Sequence, residues 1–451
     1  MTNAHGEIEA QLELLNDTIK AAKRAGADAA DALMNQSMSL EVSYRLGERE
    51  DLERSESKSL GLRVFVGQKQ AAISSNDFSA DTLNDAVERA VAMAKVAPED
   101  PYCGLADPST LCKDVQNLDL FDAYEPGPEE LYERARVAEE AARAVDGVTN
   151  SEGGGAGWGR VTIALATSDG FAGGYRSSSH GVHASVLAGE GTGMERDYEH
   201  SSEHHLEDLE DAAAVGASAG ARAVARLNPR KVQSQQVPII FDPRVSRGLV
   251  GHLLGAINGS SVARGTSFLR EKMGEQILRA GINIIDDPHR IRGQSSKPFD
   301  GEGSLNKQTS LIDDGVLQTW LLDSATAKQL GLKSTGHASR GIGGPPSPGA
   351  TNVHLAAGDL SPEELMADIE NGLYITEMIG FGVNQVTGDY SRGASGFWIE
   401  NGQKMFPVSE LTIAGNLQDM FMQITPANDL EFRYGTNAPT LRIDQMMVAG
   451  T

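Results

Sequence analysis

The chain has 451 residues with 63 acidic against 39 basic side chains, a formal net charge of −24, and it carries 50 glycines with 40% hydrophobic and 5% aromatic residues. This composition fits a glycine-rich globular protein of two or three domains and excludes wholesale disorder, collagen-like repetition and a lone small module. The charge is uneven: residues 1–225 carry −21 and the remainder −3, an acidity that opposes direct nucleic-acid contact and reads as a solvated surface.

Met1 to Glu9 has no basic stretch leading into an apolar run, so no secretory signal is expected. Ile8, Leu12, Leu15, Ile19 and Ala22 recur at helical spacing, with Lys20, Lys23 and Arg24 at the end the helix dipole favours. Ser39 to Tyr44 alternates like a strand, and Gly61 to Ile73 reads as strand, tight turn, strand. Helices are expected over 81–96 and from Pro128, a residue suited to a first helical turn, to Val145. Gly153 to Gly159 reads as a loop, because it lacks both a P-loop Lys and a dinucleotide-binding frame. Residues 161–187 alternate around a turn at Ser168-Asp169-Gly170, and a long helix is expected over 206–227.

Polar residues Asn228 to Gln236 coincide with the change in charge balance. We place the domain boundary there: a mixed α/β N-terminal domain, residues 1–230, then a β-rich C-terminal domain, 231–451, giving an α+β fold. The second domain opens with a strand at 237–241 and a helix over 245–257. Asp314-Gly315 and Asn401-Gly402 mark hairpins, and Ser361-Pro362 with Glu364 signs a capping box. Gly341 to Gly349 reads as a mobile loop. The longest nearly apolar run, Gly248 to Ile257, is too short to span a bilayer. Cys103 and Cys112 suit neither a disulfide framework nor a zinc knuckle. These features point to a cytoplasmic protein without a membrane partner.

Two local patterns touch metal chemistry. His200-Ser201-Ser202-Glu203-His204 is an H-x-x-E-H sequence; on a helix, both imidazoles would share a face and could hold zinc while Glu203 worked on its water. The segment is polar and acidic, which favours a solvated helix entry instead. His252 stands alone in the apolar run, without a His or acidic partner at helical spacing, and reads as a satisfied core or interface histidine.

Four stretches carry a resemblance: Gly251 to Ile257, Leu332 to Ala338, Thr387 to Gly402, and Val408 to Leu417. Through them, and more weakly through the first half, the chain resembles the TldD/PmbA family, within it the PmbA (TldE) branch. The resemblance implies a two-subunit cytoplasmic zinc metallopeptidase acting on unfolded or extended peptides. In the TldD-type subunit it implies a helical His-Glu-x-x-x-His metal site with a distant Cys near the C-terminus. Aligned on Gly255 and Gly265-Thr266-Ser267, those three positions fall here on Gly251, His252 and Ala256, and residues 430–451 contain no Cys. No catalytic, metal or cofactor residue is therefore assigned to this chain, and zinc is expected in a TldD-like partner. A second copy of this chain is kept open as a partner of the isolated subunit. Two alternatives stand beside this reading: an autonomous peptidase using His200, Glu203 and His204, and a non-enzymatic binding protein that modulates DNA gyrase, the family's older label.

Overall fold

The structure, a computed structural model, describes residues 2–450; Met1 and Thr451, at the ends of the segments read for a leader and for a C-terminal Cys, lie outside it. The first half runs α1 (Thr2–Arg24), β1 (Ala29–Arg45), β2 (Glu48–Val66), β3 (Lys69–Ser75), α2 (Ala80–Val96), α3 (Pro128–Arg143), β4 (Val148–Thr167), β5 (Ala172–Ala188), β6 (Glu195–Glu203) and α4 (Ala212–Ala225). Its strands form one antiparallel six-stranded sheet in the order β3-β2-β1-β4-β5-β6.

Alternation along these strands gives the sheet two different faces. Ala32, Met34, Leu62, Val64, Ala164 and Ala166 pack with Leu15 and Ile19 of α1 and Leu83, Val87 and Ala90 of α2. Val182, Ala184 and Val186 on the same face meet α3 and α4. The opposite face presents Leu33, Leu165, Ile163 and Tyr175 to Phe299 and Ile342 of the second half. The two halves are thus joined across the face that the helices leave free.

The second half opens with β7 (Gln235–Phe241) and α5 (Pro243–Ala256). Strands at 371–379, 389–400, 403–416 and 441–449 join β7, and a further pairing between 403–416 and 441–449 closes the five into a ring. Ile239, Phe241, Leu373, Ile375, Ile413 and Ile443 form its core with Leu249, Val250 and Leu253 of α5. A second sheet gathers five short strands, among them 284–286, 309–313 and 353–355. Helices and sheets combine as the expected α+β class, with a β-rich second half.

Most elements fall where periodicity placed them, including the Ser361–Glu364 capping box. Three expectations need correction. Gly153–Gly159 is part of β4, not a loop: a Cβ on Gly154 would lie 2.4 Å from the Ala135 carbonyl of α3, and one on Gly155 2.2 Å from the His183 ring. The helix expected over 206–227 starts only at Ala212, because Asp211 caps it by accepting from the Ala214 N–H. The loop 341–349 is tied down, with Ser347–Pro348 paired to Ala338–Ser339 and the Ile342 carbonyl seated against Gly61 of β2.

Candidate functional site

α5 carries the positions that the resemblance singled out. Asp242 caps it, accepting from the Arg244 N–H at 3.0 Å, and Pro243 occupies the first turn. The carboxylate of Asp242 is itself held by the Tyr374 hydroxyl at 2.8 Å, which fixes the helix start to the ring of strands. Leu249, Val250, Leu253 and Ala256 turn inward. Gly251 lies on the exposed side, where a Cβ would meet nothing within 4 Å.

His252 is half-buried, with its ring edge-on to Tyr390 at 5.8 Å. Burial first, and then the Arg392 guanidinium, hold its imidazole below the ordinary histidine range, so it is neutral at pH 7. Ala256 is fully buried, its carbonyl accepting from the Ser267 hydroxyl at 2.6 Å. Beside it, Gln385 of the loop after strand 371–379 crosses over Gly255, its amide nitrogen 3.2 Å from where a Cβ would stand.

A catalytic zinc needs three protein ligands or more. Here one imidazole faces an aromatic ring, flanked by a glycine and by an alanine sealed in the core. No group of three His, Cys, Asp or Glu among the described residues could hold a metal ion. The residues present at this helix do not fit a zinc ion.

The H-x-x-E-H segment also departs from the geometry that would make it a metal site. His200 and Glu203 belong to strand β6 and His204 follows it, so no helix places the two imidazoles one turn apart. His200 lies against Tyr198 and Tyr434, with ring centroids at 6.2 and 5.6 Å. Glu203 accepts from the Gln294 amide at 2.9 Å, and burial raises its carboxyl. His204 is 7% exposed, with Nδ1 2.7 Å from the Ser178 carbonyl and Nε2 3.1 Å from the Gly293 carbonyl. With both nitrogens against backbone carbonyl oxygens, this buried ring joins the first half to the second instead of sharing a helix face with His200.

That seam is the feature sequence reading missed. Asp31 of β1 lies 2.5 Å from Arg63 of β2 and 2.7 Å from Arg340 of the second half, all three nearly inaccessible to solvent. Behind them Asp300 accepts N–H groups from Glu302 and Ser304, while Glu302 accepts from the Ser324 N–H and hydroxyl. Burial pushes Asp300 up to about 6; burial and Asp300 together push Glu302 up to about 7. These residues are scattered from position 31 to 340, and no local spacing marks them. Elsewhere, among the described residues, 48–59 of β2 pair with β1 alone, leaving one edge of a long strand without a neighbouring strand.

Comparison with known proteins gives one consistent answer. Three family models match: PmbA/TldA metallopeptidase domain 1 over residues 30–94, the central domain over 121–227, and the C-terminal domain over 234–450. The chain is 38% identical over 449 residues to Metalloprotease PmbA of Escherichia coli O157:H7, covering 98% of each protein. It is 36% identical to a Metalloprotease PmbA homolog of Haemophilus influenzae, over 96% of this chain and 94% of the other. Among solved structures, a proposed modulator of DNA gyrase from Bacteroides thetaiotaomicron superimposes with a TM-score of 0.90 at 28% identity, over 97% of this chain and 98% of that one. TldE from Thermococcus kodakarensis shares the fold, with a TM-score of 0.86 at 22% identity over 97% of this chain and all of that one. With near-complete coverage at this identity, and with all three domain models matched in order, the chain belongs to the PmbA/TldD metallopeptidase family.

Proposed function

We propose that this protein is the non-catalytic, TldE-like subunit of a two-component zinc metallopeptidase, working in the cytoplasm with a TldD-like partner on unfolded or extended peptides. The observation that carries this reading is the donor set on α5: Gly251 and Ala256 have no ligand atom, and His252 is a single imidazole turned to Tyr390. One neutral histidine cannot hold a catalytic zinc, so the metal and its chemistry belong to the partner. This chain contributes surface to the substrate chamber and stabilises the partner's active form. The free edge of β2 supports a peptide ligand, since unpaired N–H and C=O groups accept an added strand whatever its side chains.

The test is zinc content and peptidase activity of the purified chain, alone and mixed with its TldD-like partner, on an unfolded peptide. The expected result is no stoichiometric zinc in the chain alone and cleavage only in the mixture. Cleavage by the partner at the same rate with and without this chain sinks the proposal. Stoichiometric zinc and activity in the chain alone would restore the autonomous reading.

A further inference from the structure

A cavity of about 770 Å³ opens between the linker that follows α2 and the second half, lined by segments around 109–116, 304–310, 318–319 and 333–336. It lies on residues that neither the metal-site comparison nor the H-x-x-E-H segment touches. Three lysines line it, Lys113, Lys307 and Lys333, with Asp114 the one acidic residue in the lining. All three are exposed, and none is within ion-pair distance of a carboxylate among the described residues. Asp107 acts on Lys333 only from further off.

Three lysines without an ion-pair partner thus share one concavity in a chain of 63 acidic and 39 basic side chains. Three ammonium groups against the single carboxylate of Asp114 leave the lining net positive, and a cleft of net positive charge concentrates anions. Hydroxyls complete the lining. Ser304, almost fully buried, shares a hydrogen bond of 3.2 Å with Thr110, and Ser334 and Thr335 form part of the wall. Hydroxyl groups rotate to donate or accept, so they adapt to oxygen-rich ligands. The volume falls within the range of small-molecule sites.

We propose that this cavity binds a small polyanion bearing clustered oxygens, a phosphate ester or a polycarboxylate. The proposal does not depend on the subunit reading above, since the cavity is complete within this chain. The test is calorimetric titration of the full-length protein at low ionic strength with inorganic pyrophosphate and, separately, citrate. It is paired with acetylation footprinting of lysines by mass spectrometry. The expected result is saturable single-site binding of at least one anion, weakened about tenfold or more when Lys113, Lys307 and Lys333 are all changed to Gln. Binding should be retained when the same three become Arg, which also guards against misreading a folding defect. Ligand should slow acetylation of Lys113, Lys307 and Lys333 while Lys20 and Lys272, paired with Asp17 and Glu275, are unchanged. Preference for pyrophosphate assigns a phosphate ester and preference for citrate a polycarboxylate. No saturable binding, or binding undiminished by the triple Gln change, overturns the proposal.

Discussion

At the scale of single residues, His204 and Asp31 show how position decides role. A histidine that looks like half of a zinc motif instead bridges the Ser178 and Gly293 carbonyls across the seam. We expect His204→Ala to lower unfolding free energy by about 1–3 kcal/mol in urea titration, since it removes the ring's hydrogen bonding across the seam and leaves a cavity between the halves, and to leave metal content unchanged. Among the described residues, Asp31 is the carboxylate that forms ion pairs with both Arg63 and Arg340. Removing it strands two buried guanidinium groups, so Asp31→Asn should cost roughly 3–5 kcal/mol by the same measurement. A loss under about 1 kcal/mol would mean that water already screens the cluster.

At the scale of elements, glycines on β4 and α5 should respond in opposite directions. Gly154→Ala drives a methyl group to 2.4 Å from the Ala135 carbonyl of α3, so helix and strand must separate. We expect a loss of about 1–3 kcal/mol and a lower midpoint in thermal denaturation. Gly251→Ala meets open space on a helix, where alanine is favoured by about 0.5–1 kcal/mol, and should raise the midpoint. The same pair shows how far elements can be read locally. α5, the two-residue turns and the capping box follow from spacing, turn chemistry and caps within a few residues. Gly153–Gly159 does not, because its glycines answer to α3 and the His183 ring, which are remote in sequence.

At the scale of the whole molecule, the seam makes stability depend on pH. Glu302 sits among Asp300, Asp323, Arg63 and Arg340, and its carboxyl is pushed up to about 7. A carboxyl raised on folding keeps its proton in the native state after the unfolded chain has released it. Stability contributed by the neutral form is therefore lost as pH rises from the unfolded value, near 4.3, to about 7, a change of roughly 3 kcal/mol for this group. Asp31, held below the usual carboxylate range by Arg63 and Arg340 against the cost of burial, acts only at lower pH, where its ion pairs are lost on acidification. Urea titrations between pH 5 and 8 should show a decline in the natural protein and a flatter profile in Glu302→Gln, with the variant at least as stable at pH 8. An unchanged slope would remove Glu302 as its source. No helix among the described residues is long and apolar enough to cross a membrane.

The sequence by itself determined the class, the β-rich second half, most helices and hairpins, and the family, because these rest on local periodicity, turn residues and four contiguous stretches. It also placed the positions singled out by the resemblance on a helix, since Gly251, His252 and Ala256 lie within a single α5. The tertiary structure alone decided that H-x-x-E-H is a strand with a bonded histidine beyond its end. It also decided that the halves meet through Asp31, Arg63 and Arg340, and that three distant lysines line one cavity. Burial and electrostatic pairing between residues hundreds of positions apart depend on how sheets stack, and no window along the chain contains that information.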